Sequence, residues 1–322
     1  VIGMKEIAKL TGVSVSTVSN VLNGRTNVSQ KTRERILQCC SEYGYSLPPG
    51  PKKTNTDKAD TVLFIFSDFD RDFYLKIIEG INDCLMENGY DLIVCTNRSS
   101  QKLTKRSFVR GAICLDGSIS DEIFTRMARQ DFPAVLMDRV LPSGSIHVKS
   151  VIVDNYPVMC DMVQTLVDKG YRKFGFLGGL NHTLDHKERY TGFTDTLKKN
   201  GIPFDPKYYF HGNYRERSGY QAAKLMILSQ DYPEVLVCAN DNMAFGVMKA
   251  FEEHQIRVPE DIAVTGFDDS DAAAMAGLTT VTIPRYESGY LAAKELLEMI
   301  QGKADKAPFK IQASIVWRNS VR

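Results

Sequence analysis

The N-terminal stretch from Met4 to Gly24 restricts the fold of this chain more than any other. Two short helical patterns flank the turn Thr11-Gly12-Val13-Ser14. The first carries apolar residues at Met4, Ile7 and Leu10, the second at Val18, Val21 and Leu22. Gly12 accepts the positive φ such a turn requires, and Ser14 can cap the helix that follows. A third pattern opens at Ser29, places Ile36, Cys40 and Tyr43 on one face and closes at Gly44. Helix, turn, helix and a third supporting helix form an arrangement in which the second helix enters the DNA major groove.

The outer face of that second helix separates this reading from an ordinary helical hairpin. Val15, Ser16, Thr17, Ser19 and Asn20 are small or polar and permit close approach to a duplex. Ser and Thr can bond phosphates or bases, and Asn can pair with adenine through two hydrogen bonds. Charge agrees. Residues 1–53 hold eight Lys and Arg against three Glu, a net +5, whereas the whole chain is +1, leaving −4 for the rest. A basic head on an acidic body suits a polyanion-binding module joined to a unit with another task. The bland alternative is a solvated basic bundle. Lys5, Asn23, Arg25, Lys31, Thr32 and Arg33 complete the expected DNA-contacting set within the head.

From residue 61 onward, short apolar runs alternate with helical patterns. The runs are Val62–Ser67, Leu92–Thr96, Ala112–Asp116, Ala134–Asp138, Lys173–Gly178, Val235–Ala239 and Ile262–Phe267. They read as buried parallel strands. Helical segments close repeatedly on a glycine, as in Asn88-Gly89-Tyr90, Lys169-Gly170-Tyr171 and Asn200-Gly201-Ile202. This is a doubly wound α/β body in two lobes. Ligands of such sheets bind beyond the C-terminal ends of the strands. Asp138, Asn240 and Asp268 end strands, Arg189 lies on the helix after Gly178-Gly179, and Phe73 and Tyr74 begin the helix after the first strand. Carboxylates and an amide accept hydroxyl hydrogens, Arg donates in a fork, and aromatic rings cover the apolar face of a sugar. One Arg against two or three Asp favours a neutral effector. Competing roles exist: Asp241 and Asp269 can be acids at helix N-termini, Phe73 can be core, and Asp185 with Glu188 can form a capping box.

The head resembles that of the lactose-repressor (LacI/GalR) family of bacterial transcription regulators. The matching strings are Ile7-Ala8-Lys9-Leu10, Gly12-Val13-Ser14, Thr17-Val18-Ser19, Val21-Leu22-Asn23-Gly24, Val28-Ser29 and Lys31-Thr32-Arg33. The resemblance continues through Val153-Asp154-Asn155, Arg189 before Gly192-Phe193, Ala239-Asn240-Asp241 with Met243-Ala244, Gly266-Phe267-Asp268-Asp269 and Leu278-Thr279-Thr280-Val281. It implies a repressor with a core built like a periplasmic sugar-binding protein. It also implies that Phe73, Tyr74, Asp138, Arg189, Asn240 and Asp268 occupy ligand-contacting positions, with Tyr214 as a stacking aromatic and Asp185 close by.

The expected organisation is a helix-turn-helix head over 1–46, a Pro-rich hinge over 47–60 and an effector-binding core over 61–322. On the resemblance, the first lobe covers about 61–155 and 285–310, and the second about 156–284 and 311–322. The helix Tyr286–Gln301 is expected on the first lobe, and a last strand Ile311–Trp317 on the second. Relatives usually have a short helix in the hinge that wedges into the minor groove. Here Pro48-Pro49-Gly50-Pro51 opposes a helix, and an extended linker is expected, with Lys52 and Lys53 reaching phosphates. Asn20 stands where many relatives carry an Arg that reads guanine, so a different half-site is expected.

The remaining features exclude other classes. No apolar run approaches the ~18 residues of a membrane span, and the chain enters the DNA-binding pattern without a signal peptide. Seven dispersed cysteines, with no C-x-x-C pair, read as reduced core thiols of a cytoplasmic protein. His182 and His186 have i,i+4 spacing but no third ligand, so no metal is expected. There is no nucleotide-binding loop, no nucleophile elbow and no metalloprotease motif. No cofactor is expected. The partners expected are an operator duplex, a neutral sugar and a second copy of the chain. The competing class is a sugar-binding protein or sugar-processing enzyme with an accessory nucleic-acid-binding head, and turnover of the sugar would separate the two.

Overall fold

The computed structural model describes residues 4–22, 28–43, 61–68, 74–115, 117, 119–137, 139–141, 147–303 and 307–322. The chain divides into two compact units, residues 1–58 and 59–322. The hinge expected over 47–60, including Lys52 and Lys53, lies outside the described residues, as do Asn23, Arg25, Phe73 and Asp138.

The first unit holds three helices, α1 (Met4–Thr11), α2 (Val15–Leu22) and α3 (Gln30–Glu42). Gly12 takes φ +64° between the first two. Ser14 accepts the Thr17 N–H at 3.1 Å and caps α2, and Ser29 accepts that of Thr32 at 3.3 Å and caps α3. The core is Ile7, Ala8, Val18, Val21, Leu22, Ile36, Cys39 and Cys40. The inward face of α1 differs from the expectation. Met4 and Leu10 are exposed, and Ile7, Ala8 and Thr11 are buried. Thr11 can take a core position because its hydroxyl donates to the Ile7 carbonyl at 2.6 Å. Tyr43 is likewise exposed, and Cys39 takes its place on the buried face of α3.

In the second unit, the first lobe runs β1 (Thr61–Ile65), α4 (Tyr74–Glu87), β2 (Asp91–Cys95), α5 (Asn97–Leu103), β3 (Val109–Cys114), α6 (Asp121–Met127), β4 (Ala134–Leu136) and β5 (Val148–Val153). The second lobe runs α7 (Asn155–Asp168), β6 (Phe174–Gly178), α8 (Leu184–Lys199), β7 (Tyr209–His211), α9 (Glu216–Ser229), β8 (Val235–Cys238), α10 (Asp241–Glu253), β9 (Ala263–Thr265), α11 (Asp271–Met275) and β10 (Thr280–Thr282). The chain then returns through α12 (Arg285–Ile300), β11 (Phe309–Ile311) and β12 (Ser314–Val316).

The first sheet has six parallel strands in the order β11-β5-β4-β3-β1-β2, and the second has four in the order β7-β6-β8-β9. Every residue of β1 is buried because the sheet is covered on both faces. Val62 and Phe64 pack with Ile77, Ile81 and Leu296 under α4 and α12. Leu63 and Ile65, pointing the other way, pack with Phe124 and Phe132. The second lobe closes around Phe174, Phe176, Phe193, Val237 and Phe251.

The final segment corrects the single strand expected over Ile311–Trp317. Phe309–Ile311 pairs with β5 in the first sheet, and only Ser314–Val316 crosses to pair antiparallel with β10. Ile311 is held back because its side chain is buried in the first lobe's core with Val151. Three chain passages therefore join the lobes, at Asp154, at Pro284 and at residues 312–313.

Helices α4 and α12 touch through glycine. A Cβ on Gly289 would overlap the Ile77 carbonyl oxygen, and one on Gly80 would overlap that of Tyr286. Both obstacles are backbone, so they cannot rotate away. Gly289→Ala should destabilise the core by about 1–3 kcal/mol, seen as a lower urea midpoint at unchanged slope. An unchanged midpoint would show that the helices separate freely.

Candidate DNA-reading helix and effector cleft

On α2 the buried residues Val18, Val21 and Leu22 occupy one face. At 3.6 residues per turn, Ser16, Ser19 and Asn20 fall on the other, whereas Val15 opens the helix on the side of Val18 and Leu22. Val15 and Ser16 are exposed, and Ser19 and Asn20 are half-buried. The hydroxyls of Ser14, Ser16 and Thr17 cluster at the helix start, with Ser14 Oγ 2.7 Å from Ser16 Oγ and 2.8 Å from Thr17 Oγ1. Lys5 is exposed on α1, and Lys31, Thr32 and Arg33 occupy the first turn of α3. Short hydroxyl side chains on an unobstructed face leave the helix backbone accessible to a phosphate or a base edge.

The cleft lies between the lobes of the second unit, where strand ends of both sheets converge. It encloses about 440 Å³. Its first-lobe lining includes Asp68, which follows β1, Tyr74 of α4 and Met137 beyond β4; the second lobe contributes Thr183, Asp185, Arg189, Tyr214 and Asp268. Of the expected contact residues, Tyr74, Asp185, Arg189, Tyr214 and Asp268 thus share one cavity.

Arg189 is the most constrained of them. It is only 4% exposed. Its Nη1 donates to the Ala239 carbonyl at 2.6 Å and its Nε to Asn155 Oδ1 at 2.8 Å. The guanidinium stands 3.6 Å above the centre of the Phe267 ring, and Nη2 lies 3.8 Å from Asp185 Oδ2. Asp268 holds a left-handed φ of +119°, rare for a residue with a Cβ. Its N–H donates to the Val281 carbonyl at 2.9 Å. Its carboxylate accepts from Arg285 Nη2 at 2.6 Å, an ion pair at the start of α12. Tyr214, at φ +65°, lays its ring against Gly179, where any Cβ would overlap it, and its hydroxyl meets Thr183 Oγ1 at 3.1 Å. Burial raises the Tyr214 phenol above its ordinary range, so it remains a neutral donor.

Asn240 takes a different place from the one expected. It is 1% exposed and does not line the cleft. Its Oδ1 accepts the Met243 N–H and caps α10, and its Nδ2 donates to the Tyr214 carbonyl, both at 3.1 Å. The amide is spent holding the wall. Nor do Asp185 and Glu188 form a capping box. Thr183 caps α8 by accepting the His186 N–H at 3.3 Å, while both carboxylates face the Asn155 amide, at 3.1 and 3.4 Å.

Two residues missed in the sequence take part, Asp68 and Arg285, and Asp241, expected as an acid at a helix N-terminus, opens α10 and supports them. Asp68 lies three residues beyond β1, as Asp268 does beyond β9, so the strand-end rule that selects Asp268 also applies to it. It pairs with Arg215 at 2.8 Å, linking the first lobe to the loop before α9. Arg285 lacks a periodic signal, because it opens a helix at a lobe crossing. Asp241 lies beneath the wall. Its Oδ2 accepts from Ser270 N–H at 2.8 Å and Ser270 Oγ at 3.2 Å, and its Oδ1 from Thr280 Oγ1 at 2.5 Å. Burial, and after it the charge of Asp268, raise its carboxyl to about 7.

His186 is buried, and its Nδ1 accepts the Gly179 N–H at 3.1 Å, so the ring is neutral in the fold. Among the described residues no group of three His, Cys, Asp or Glu is placed to hold a metal. Burial lowers the His186 pKa from 6.5, followed by the charges of His211 and Arg189. A depressed folded pKa means the unfolded chain takes the proton first. Its contribution to stability is therefore present above about 6.5 and lost as pH falls below it. His186→Asn removes the titrating ring and retains an acceptor for Gly179. Melting curves from pH 7.5 to 5 should show a smaller acid loss of Tm for the variant than for the wild type. Equal losses would mean that His186 titrates normally.

Residues 3–47 match the family described as bacterial regulatory proteins, lacI family, and residues 163–321 match the periplasmic binding protein-like domain. The HTH-type transcriptional regulator RegA of Clostridium saccharobutylicum is 27% identical over 98% of each chain. Catabolite control protein A of Priestia megaterium is also 27% identical over 98% of each, and the HTH-type transcriptional repressor PurR of Photobacterium profundum is 28% identical over 99% of this chain and 98% of that one. Among solved structures, the transcriptional regulator CelR in complex with cellobiose superposes with a TM-score of 0.73 at 26% identity, covering 99% of this chain and 100% of that one. A sugar-binding transcriptional regulator of Enterococcus faecalis gives 0.73 at 28% identity, covering 82% and 98%.

Proposed function

This chain belongs to the lacI family of bacterial transcriptional regulators, and on that premise we propose that it is a repressor whose operator binding is controlled by a neutral sugar held in the cleft between its core lobes. The observation that carries the effector class is the charge balance of the cleft. Among the described residues, Arg189 and Arg285 are the two arginines of its lining, and each already meets a carboxylate, Asp185 or Asp268. Asp68 adds a third acid, itself paired with Arg215. A phosphate or sugar acid would have to draw an arginine from its carboxylate, a cost that a neutral ligand does not meet. Hydroxyls suit the set: they donate to Asp268 and Asp185 and accept from Arg189, and Tyr214 offers a ring face and a hydroxyl. The CelR structure, by its name, holds cellobiose.

The lobes supply the response. The Asp68–Arg215 and Asp268–Arg285 pairs tie elements on opposite sides of the cleft. A ligand that favours one lobe arrangement over the other shifts the population by its differential affinity. Two copies of the chain present two reading helices to the halves of a near-palindrome. On each, Ser16, Ser19 and Asn20 read bases, with Lys5, Lys31 and Arg33 on phosphates and Asn20 favouring adenine.

Calorimetry of the full chain with ribose, glucose, cellobiose and cytidine, against glucose 6-phosphate and gluconate, tests the effector class. A neutral member should bind, and Arg189→Lys should weaken it by about tenfold or more, roughly 1.4 kcal/mol, because lysine provides neither the fork nor the flat face over Phe267. Binding confined to the phosphate or the acid would overturn the reading.

A further inference from the structure

Residues 97–110 carry five cations, Arg98, Lys102, Lys105, Arg106 and Arg110, and no Asp or Glu. The stretch comprises α5 and the turn into β3. The turn is ordered: the Arg106 N–H donates to the Leu103 carbonyl at 2.9 Å and the Val109 N–H to that of Arg106 at 3.3 Å. Arg98, Lys102, Lys105 and Arg106 are exposed, and none of the four has a carboxylate partner among the described residues.

Several cations elsewhere in the core have carboxylate partners. Lys173 and Lys207 share Asp231, Lys310 meets Asp154, Arg257 meets Asp261 and Arg318 meets Asp269. The unit as a whole is acidic by composition. The basic run is therefore a local reversal of sign. It also has an internal cost: Arg98 and Lys102 stand at i,i+4 on α5, a like-charge spacing that destabilises a helical surface. An outside polyanion would offset that repulsion.

The topology indicates which polyanion. Thr61, where the chain arriving from the DNA-binding unit becomes β1, is in register with Val109, three residues beyond Arg106. The DNA-binding unit is thus joined by the chain itself to the core at this edge. Tethering makes a second contact effectively intramolecular, so cations too weak to hold DNA alone contribute. Exposed Lys and Arg without a pocket suit phosphates, which position a protein on DNA but carry no sequence information.

We infer that Arg98, Lys102, Lys105 and Arg106 form a second phosphate-binding surface, on the core, for the duplex that the N-terminal unit reads. The inference rests on the regulator reading for its tether and is independent of the effector.

The test is the salt dependence of full-chain binding to a labelled 40-base-pair mixed-sequence duplex, followed by anisotropy. Each phosphate contact contributes about 0.9 to the slope of log affinity against log salt. The triple variant Lys102→Gln, Lys105→Gln, Arg106→Gln should lose about two to three from the slope and bind about tenfold or more weakly at low salt, with no fall in its melting temperature. The control variant Lys187→Gln, Lys198→Gln, Lys199→Gln removes equal charge from exposed positions on α8 and should keep the wild-type slope. An unchanged slope in the first variant, or an equal fall in the control, would overturn the inference and leave the regulator reading standing. Capture of poly-L-glutamate that the first variant loses, with an unchanged duplex slope, would overturn it in favour of an acidic protein partner. Failure of the wild type to bind any duplex would overturn both readings.

Discussion

The buried charge of Arg189 is the constraint around which the cleft is organised. Removing a guanidinium from water costs several kcal/mol unless its donors and its flat face are satisfied. Here the compensation comes from three places: the Ala239 carbonyl beyond β8, the Asn155 amide at the start of α7 and the Phe267 ring beyond β9. These elements are far apart in the chain. Satisfying one side chain therefore fixes the convergence of strand ends and of the first lobe crossing, because Asn155 stands two residues beyond β5. The charge also sets what the cleft can bind, since its field is already balanced before a ligand arrives.

The second wall depends on three consecutive residues. The Ala239 carbonyl takes Arg189, the Asn240 amide takes the Tyr214 carbonyl, and the Asp241 carboxylate takes Ser270. Between Asp241 and Ser270 lie Asp268 and Asp269, both at positive φ, a conformation costing on the order of 1–3 kcal/mol per residue. The strain persists because both neighbours are tied down, Asp268 by Arg285 and Asp269 by Arg318 at 2.7 Å. The segment Ala239–Asp241 thus acts as one template for an arginine, a tyrosine and a serine. Through Arg285, the same wall reaches α12 and the first lobe.

Much of this was legible in the residues. Apolar runs of five or six residues mark parallel strands; inner strands such as β1 and β8 are buried throughout, whereas the edge strand β2 is not. Gly89, Gly170 and Gly201 adopt the left-handed conformation their positions require. The rule that ligands meet strand ends brings out Asp268. Periodicity failed where polar satisfaction decided the outcome. Thr11 is buried because its hydroxyl closes on its own helix, and Leu10 is exposed despite its type. Asn240 has the chemistry of a ligand contact but is consumed as a cap. Thr183, a better helix start than Asp185, is hidden in a polar run. The split of the last strand depends on Ile311 belonging to the first lobe's core, a long-range choice that no local pattern contains. Arg285 is invisible for a similar reason, since its role arises only where two lobes meet.

The central claim is that cleft occupancy and DNA affinity are coupled through the core. The direct measurement is the affinity of the full chain for a duplex selected from random sequences at physiological salt, with and without a saturating neutral sugar. A coupling of typical size changes that affinity by at least about fivefold, and the change should vanish in Arg189→Lys at the same sugar concentration. An identical dissociation constant with the cleft filled and empty would contradict the account.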